Sequence, residues 1–249
     1  SSQPYQKVLR VYTPNTEGST PASLTSYHEN GQLYQDLSIL NGRAYGPLKA
    51  WHINGRKMFE AFVIEGIADN SSEAEKSWLL DGVAQAWDDE GHLMAQFNYF
   101  KGELEGDTLY FYENNQIKEK KTYKKNFIDG LLVQYYPQGN IYKEALYKKG
   151  LREGESITYW ENGILQGKEF YKNESLLNGK YYSQTGELLS TISQGSGKQL
   201  FLYKDQCVHE LEYCHGIAEG YVHEYNKKNE LIHTYHQKGG EKDGQELIY

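Results

Sequence analysis

Seven side chains that could bind a transition metal lie within 30 residues near the carboxy terminus. They are Cys207, His209, Cys214, His215, His223, His233 and His236. Thiolate and imidazole groups are the ligands that Zn²⁺ prefers in proteins. However, Cys207 and Cys214 are seven residues apart, so on one regular strand they would face opposite sides of the sheet. There is also no C-x-x-C pair. We therefore predict reduced, structural cysteines and no metal site.

Catalytic and cofactor motifs are also missing from the sequence. There is no glycine-rich phosphate loop after a predicted strand, no G-x-S-x-G elbow and no H-E-x-x-H pair. A carboxylate pair for glycoside hydrolysis stays open as an alternative, because Asp and Glu are numerous. We expect a protein that is not an enzyme and that binds no cofactor.

The composition excludes several other classes of protein. The 249 residues include 26 Lys and Arg against 34 Asp and Glu, a net charge of −8, which argues against nucleic acid as a partner. No apolar run is long enough for a transmembrane helix. Two cysteines cannot form a disulfide framework, and 14% aromatic residues argue against disorder.

A short turn motif recurs along the whole chain. It reads YHENGQL at 27–33, WHINGRK at 51–57 and WENGIL at 160–165, mostly at spacings of 23 or 24 residues. Its turn positions are Gly31, Gly55, Gly91, Asn115, Gly139, Gly163, Gly186, a degenerate Gln206 and Asn229. A second glycine series is out of phase with the first and predicts a second turn in each unit. This series comprises Gly46, Gly82, Gly106, Gly130, Gly154, Gly179, Gly197, Gly220 and Gly244.

Two turns in about 24 residues leave two segments whose length suits strands. Those segments are rich in β-branched and aromatic residues, as in LLVQYY at 131–136. Leu165 and Tyr171 are six residues apart and so share one strand face, as do Ile141 and Tyr147. We therefore predict an all-β fold, an elongated, twisted antiparallel sheet of about nine tandem β-hairpin repeats, solenoid-like in organisation.

This pattern of glycine, aromatic residue and Asn-Gly turn resembles the MORN repeat over about residues 27–249. It is most similar to the bacterial variant found in proteins often labelled antitoxin-like. The resemblance implies a binding protein, since some MORN proteins associate with membrane lipids or act as assembly scaffolds. The acidic net charge weakens the lipid interpretation. We expect a non-catalytic scaffold that mediates protein–protein interaction.

Departures from the repeat are the best candidates for partner contacts. We divide the chain into an N-terminal strand and linker (1–26) and a repeat domain (27–249) with an insertion at 68–80. Within the insertion, Ser72 and Glu75 fit a capping box that opens a short helix. Trp78, Leu79 and Leu80 follow and are the predicted partner-binding residues. The competing interpretation is that the insertion simply folds onto the sheet and covers it.

Three further binding hypotheses remain open. Aromatic columns on both sheet faces, among them Tyr112, Tyr136 and Trp160, favour a surface module for choline or a glycan, since choline- and glucan-binding repeats use similar Asn-Gly hairpins. A lysine patch at 118–125 is a candidate phosphate or lipid contact. The last strand, within 244–249, would leave an open sheet edge suited to self-association. Because residue 1 is Ser and not Met, a bacterial cytoplasmic and an exported location are both compatible with the sequence.

Overall fold

A computed structural model describes residues 9–12, 19–203, 206–239 and 241–249. The chain divides into two compact units, unit 1 (Ser1–Phe127) and unit 2 (Ile128–Tyr249). The described residues form 22 strands and one short helix. The predicted all-β class, built from antiparallel hairpin repeats, is therefore confirmed.

Short strands follow one another closely in both units. Unit 1 contains β1 (Leu9–Tyr12), β2 (Pro21–Tyr27), β3 (Leu33–Leu40), β4 (Arg43–Trp51), β5 (Lys57–Glu65), α1 (Ser72–Glu75), β6 (Leu79–Leu80), β7 (Gly82–Trp87), β8 (Leu93–Phe100), β9 (Glu103–Leu104), β10 (Gly106–Phe111) and β11 (Ile117–Lys124). The boundary between the units falls at the start of β12. The remaining strands are β12 (Phe127–Tyr135), β13 (Ile141–Lys148), β14 (Leu151–Tyr159), β15 (Leu165–Lys172), β16 (Ser175–Tyr182), β17 (Leu188–Ser193), β18 (Ser196–Tyr203), β19 (Gln206–Cys214), β20 (Ile217–Tyr225), β21 (Leu231–Lys238) and β22 (Glu241–Ile248).

Most strands pair in antiparallel fashion with strands that are close in the sequence. In unit 2 the pairing runs without interruption from β12 to β22. In unit 1, β5 pairs with both β6 and β7, and β8 with both β9 and β10. Successive hairpins explain why local turn chemistry dominates the sequence pattern.

The first predicted turn series lies at hairpin turns, except for Gln206, which is the first residue of β19 and pairs with Tyr203. In the turn of β14 and β15, Gly163 has φ +81° and its N–H donates to the Trp160 carbonyl at 2.8 Å. Asn115 and Asn229 take the same left-handed conformation, with φ of 64° and 62°. A register shift accompanies each such turn, for example between Thr158 and Tyr159. This geometry is a tight turn followed by a bulge whose left-handed residue must be Gly or Asn.

The prediction that the second glycine series forms turns is wrong. Gly46, Gly130 and Gly154 lie inside strands β4, β12 and β14. The second turn lies four residues earlier and has two residues, both with positive φ, as in Asn41 (50°) and Gly42 (77°). Lys, Gln and His hold the first position of other turns of this kind, so glycine spacing alone did not reveal them.

The in-strand glycines are needed for close strand approach. Gly46 has φ +118°, and a Cβ there would lie 2.8 Å from Cβ of Ser38 on β3. The register of β3 and β4 shifts at this point, between Leu37 and Ile39. The glycine therefore marks a bulge, where a side chain would both strain the backbone and collide with the neighbouring strand.

The insertion of unit 1 covers one face of its sheet. The core contains Leu24, Leu37, Ile39, Ala44, Leu48 and Val63, with Ala68, Trp78 and Leu80 packed against it. The helix is only four residues long, and its N-cap is Ser71, not the expected Ser72, because the Ser71 hydroxyl accepts the Ala74 N–H at 3.4 Å. Glu75 instead accepts a hydrogen bond from the Gln35 amide at 3.3 Å, which ties the helix to β3.

The N-terminal segment is only partly described. Residues 1–8 and 13–18 lie outside the described residues, so most of the expected linker cannot be placed. β1 falls within the expected N-terminal strand and linker (1–26) and pairs with β2. β2 begins at Pro21, inside the segment expected to be linker, and pairs with β3 along its whole length.

The core of unit 2 is aromatic. Tyr171, Leu176, Tyr181 and Ile192 are buried, with Leu200 and Tyr213 packed against them. These residues come from β15 to β19, which are not all neighbours in the sheet. The strands of unit 2 therefore curl until non-adjacent strands share one core.

Candidate binding sites

Aromatic side chains at the hairpin turns connect each repeat to the next. The indole N–H of Trp160 donates to the Tyr182 carbonyl at 3.1 Å, and the Tyr136 hydroxyl donates to the Tyr159 carbonyl at 2.8 Å. The equivalent contacts in unit 1 join His28 to the Trp51 carbonyl and His52 to the Trp87 carbonyl. These side chains are therefore occupied in holding the scaffold together.

The Asn of each Asn-Gly turn has two roles. Asn54 Oδ1 accepts the Arg56 N–H at 3.0 Å within its own turn, and its Nδ2 donates to the Asp89 carbonyl of the next turn at 2.7 Å. Asn162 repeats this arrangement, accepting from Ile164 and donating to the Gln184 carbonyl. The motif thus fixes the local turn and the stacking of repeats at once.

A second ladder lies at the two-residue turns. Four acidic residues build it, each just before an in-strand glycine, and each accepts a hydrogen bond from the backbone of the following turn. The pairs are Asp81 with Lys101 N–H, Glu105 with Lys125, Asp129 with Lys149, and Glu153 with Asn173. Part of the chain's acidic excess therefore has a structural role.

The three predicted partner-binding residues have different environments. Trp78 is half-buried against the core, and its indole N–H donates to the Ile67 carbonyl at 2.8 Å. Leu80 also packs against the core. Leu79 alternates away from them, as strand geometry requires, and is 39% exposed. Of the three, Leu79 is the residue that offers apolar surface to a partner.

An exposed apolar row crosses three strands of unit 1. Tyr45 and Phe62 are exposed and pack edge to face, with ring centroids 5.7 Å apart. Val83 is also exposed and lies on the same face as Phe62. Glu60 of β5 pairs with Gln85 of β7, Phe62 is two residues from Glu60, and Val83 is two residues from Gln85, so both side chains share the face of that pair. The other face of β4 and β5 carries the core residues Ala44, Leu48 and Val63.

Unit 2 contains a cavity of about 300 Å³ with a buried carboxylate. Glu169 is only 8% exposed and accepts three hydrogen bonds. The hydroxyls of Tyr171 and Tyr181 donate to its two oxygens at 3.0 Å each, and Gln199 Nε2 donates at 2.7 Å. Three neutral donors thus hold the carboxylate at the cavity wall.

A glycine, Gly179, leaves room for one of these donors, the hydroxyl of Tyr181. Gly179 is the register partner of Glu169, and a Cβ on it would lie 2.8 Å from the Tyr181 hydroxyl. Tyr181 therefore folds back over Gly179 to reach the carboxylate. Burial raises the pKa of Tyr171, Tyr181 and Tyr213, so these phenols keep their protons at neutral pH.

A second cavity of about 440 Å³ adjoins the first. The two share Tyr142, Gln166 and Leu202. Tyr136 and Trp160 line the second cavity, and burial raises the pKa of Tyr136 to about 12. Aromatic rings and amide groups therefore line two adjoining cavities on unit 2.

The comparison with protein families matches the repeats seen in the structure. The family described as the MORN repeat variant matches residues 23–41, 104–125, 128–149 and 152–173. These four stretches of the chain are MORN repeats. MORN repeats generally serve as interaction or membrane-associated modules and are typically non-catalytic. Each matched stretch ends at the first residue of a two-residue turn, and the ladders described above join successive repeats.

Other comparisons add little to the MORN assignment. No curated protein matches the chain. Among solved structures, the crystal structure of TcdB2-TccC3-TEV is similar at 11% identity and a TM-score of 0.21, covering 96% of this chain. The alignment spans 15% of that other chain. Within the described residues, no helix combines the length and the apolar character needed to cross a membrane.

The His and Cys group is spread over the last strands of unit 2. His233 lies between the carboxylates of Glu224 and Glu246, at 3.1 and 3.2 Å. His223 Nδ1 lies 2.9 Å from the Thr234 hydroxyl, and burial lowers the pKa of His209. The side chain of Cys207 lies outside the described residues. Among the residues that the structure describes, no group of His, Cys, Asp or Glu is arranged to hold a metal ion.

The lysine patch and the last strand were the other candidates. Lys120 pairs with Asp107 and Lys121 with Glu119, both at 2.6 Å, so acidic neighbours neutralise much of the patch. β22 pairs with β21 on one side, and its side chains are exposed along its length.

The buried carboxylate of unit 2 was not found from the sequence. Glu169 lies between Leu165 and Tyr171 on β15, at even spacing from both. The alternation that places Leu165 and Tyr171 on the apolar face therefore also places Glu169 there. The even spacing of Glu169 from Leu165 and Tyr171 is therefore the sequence feature that indicates its burial.

Proposed function

We propose that this chain is a non-catalytic MORN scaffold that binds a protein partner on the exposed apolar face of unit 1. The observation that carries the proposal is the row formed by Tyr45, Phe62 and Val83 across β4, β5 and β7. Apolar side chains gathered on one face of a monomer favour interaction sites. Isolated exposed apolar residues would carry no such meaning.

The scaffold gives this row a fixed shape. Leu48 and Val63 anchor β4 and β5 from the opposite face, so the strands need no partner in order to fold. Leu79 is the second contact in the proposal. Trp78 and Leu80 then act as supports that pack on the core and hold Leu79 in place. Rigid presentation lowers the ordering cost of association.

Cross-linking capture followed by direct binding tests the proposal. The whole chain is used as bait in lysate, and each recovered protein is then purified and titrated against three forms of the bait. The forms are the unchanged chain, the double variant Phe62→Asp with Val83→Asp, and Ile53→Asp. Ile53 is the matched control, because it is exposed and apolar but lies in a turn of unit 1.

The expected result is a protein that binds the unchanged chain and the Ile53→Asp form, and binds the double variant at least about tenfold more weakly, the equivalent of about 1.4 kcal/mol. A charge placed in an apolar contact has this effect because it is buried without a partner. Equal binding to all three forms would overturn the placement on unit 1. If no protein is recovered and the chain instead binds anionic lipid vesicles in a separate assay, the membrane-associated role would be favoured.

A further inference from the structure

We propose that the two adjoining cavities of unit 2 form a binding site for a neutral carbohydrate. The inference goes beyond the scaffold function, because it concerns residues of unit 2 alone. The floor of the site is the Glu169 carboxylate with its three donors, and the outer part is lined by the aromatic residues around Tyr142.

Glu169 has hydrogen-bonding capacity left for a ligand. An ionised carboxylate accepts about four hydrogen bonds, and three are made by Tyr171, Tyr181 and Gln199. Among the described residues, the Tyr213 hydroxyl and Gln199 Oε1 make no hydrogen bond, and both residues line the same cavity. A ligand that donates and accepts hydrogen bonds would satisfy all three groups.

The charges on the cavity wall favour a neutral ligand. Arg152 and Lys143 line the cavity together with Glu169. Arg152 and Lys143 would repel a cationic ligand. Glu169, which has no ion-pair partner among the described residues, would repel an anionic one. Hydroxyl groups carry no charge and can both donate and accept, so a polyhydroxylated ligand suits this mixed wall.

The aromatic lining suits the apolar faces of sugar rings. Tyr171 already has the Arg152 guanidinium on one face, 4.0 Å from the ring centroid, and Arg152 is also paired with Glu174 at 2.5 Å. Other rings line the two cavities, and no cation lies over them among the residues that the structure describes: Tyr142, Tyr181, Phe201, Tyr213, Tyr136 and Trp160. Aromatic walls with a few placed polar groups are typical of small-ligand sites.

The size of the space fits a short oligosaccharide. The inner cavity of about 300 Å³ lies at the small end of the range for ligand sites. The outer cavity of about 440 Å³ extends it past the shared residues Tyr142, Gln166 and Leu202. One sugar ring at the carboxylate and a further ring against Trp160 would fill the two parts.

Ligand-observed NMR with the full chain tests the site. The probes are the neutral sugars maltotriose, cellotriose and N,N′,N″-triacetylchitotriose, with choline chloride and sodium phosphate as the charged comparisons. We expect at least one trisaccharide to bind, and neither charged probe to bind. Failure of all three sugars would overturn the proposal. Binding of choline or phosphate alone would do the same, since it would show a charged ligand at this wall.

Three variants locate the binding. Glu169→Gln and Tyr213→Phe are each expected to weaken trisaccharide binding about tenfold. Tyr213→Phe keeps the packing and loses no internal hydrogen bond, so it reports on the site even if Glu169→Gln folds poorly. Glu155→Gln, on an exposed position of β14, is the matched control and should leave binding unchanged. Equal sugar affinity for all forms would contradict the site.

The unit 1 double variant separates this inference from the scaffold function. Phe62→Asp with Val83→Asp should bind the sugar as the unchanged chain does. Loss of the protein partner with sugar binding intact would therefore leave the unit 2 site standing, and the converse result would leave the scaffold function standing.

Discussion

The carboxylate of Glu105 accepts a hydrogen bond from the backbone N–H of Lys125, the first residue of the next two-residue turn, at 3.0 Å. The same contact recurs at Asp81, Asp129 and Glu153. At four of the in-strand glycines, the acidic residue just before the glycine thus caps a turn 20 residues later. Repeats are held in register by side chains as well as by strand pairing.

Removing one such cap should destabilise unit 1. Glu105→Ala is expected to lower the free energy of unfolding by about 1 kcal/mol, because the Lys125 N–H loses its acceptor. Urea denaturation followed by circular dichroism measures the change. Glu113→Ala removes the same charge from an exposed turn position and should cost less than about 0.5 kcal/mol. Equal losses would show that charge and not capping matters.

The two kinds of glycine should respond differently to substitution. Gly46→Ala is expected to cost about 2 kcal/mol or more, since its Cβ would meet Ser38 at a φ of +118°. Gly31→Asn should cost less than about 1 kcal/mol, because the site has open space and Asn tolerates a φ of +82°. Chemical denaturation of both variants decides the matter. A tolerated Gly46→Ala would argue against the bulge.

Asp36 should destabilise the protein at neutral pH. Burial raises the pKa of this carboxyl although Lys49 opposes the shift, and its Oδ1 has no hydrogen-bond partner among the described residues. Because the folded state holds the proton more tightly than the unfolded chain does, stability falls as pH rises above 3.8, the ordinary pKa of an aspartate carboxyl.

Asp36→Asn should therefore raise the urea concentration at the midpoint of unfolding at pH 7. This increase in stability should become smaller as the pH is lowered. Denaturation curves at several pH values measure this. A variant less stable than the unchanged chain at pH 7 would contradict the assigned cause.

The phenols around Glu169 should limit alkaline stability. Burial raises the pKa of Tyr171, Tyr181 and Tyr213 above the usual 10.0, so the folded state keeps protons that the unfolded chain releases. Stability should therefore fall as pH rises above about 10. Phenolate absorbance, followed together with circular dichroism, should show a group of tyrosines that ionise only as the sheet unfolds. Simple titration of every tyrosine before unfolding would contradict the burial.

Substitutions of Trp78 and Leu79 should differ in their effect on stability. Trp78→Ala is expected to cost about 2 kcal/mol or more, because it removes core packing and the hydrogen bond to Ile67. Leu79→Ala should cost less than about 1 kcal/mol, since much of its side chain faces solvent. Thermal melts of both variants test the difference. If Trp78→Ala left the melting temperature unchanged, Trp78 would become a candidate contact in its own right.

The sequence by itself determined the repeat and its chemistry. A hairpin turn is a local object, so a left-handed Gly or Asn, an Asx-type Asn and alternating strands are each readable from a few residues. Gly163 and Asn115 show this, since both lie in the expected turns. The second turn was misplaced because Lys, Gln and His can also take a left-handed conformation. Nothing in the side chains of Lys, Gln or His indicates from the sequence which of these residues adopts the left-handed conformation.

Only the tertiary structure decided what the repeats enclose. Gln199 lies on β18 and donates to Glu169 on β15, across two intervening strands. Gln166 likewise reaches the Leu202 carbonyl, 36 residues away. Such contacts depend on how far the strands of unit 2 curl, which is set by the summed packing of many side chains and by no single turn. The hairpins were therefore local and predictable, whereas the cavity and its buried carboxylate were not.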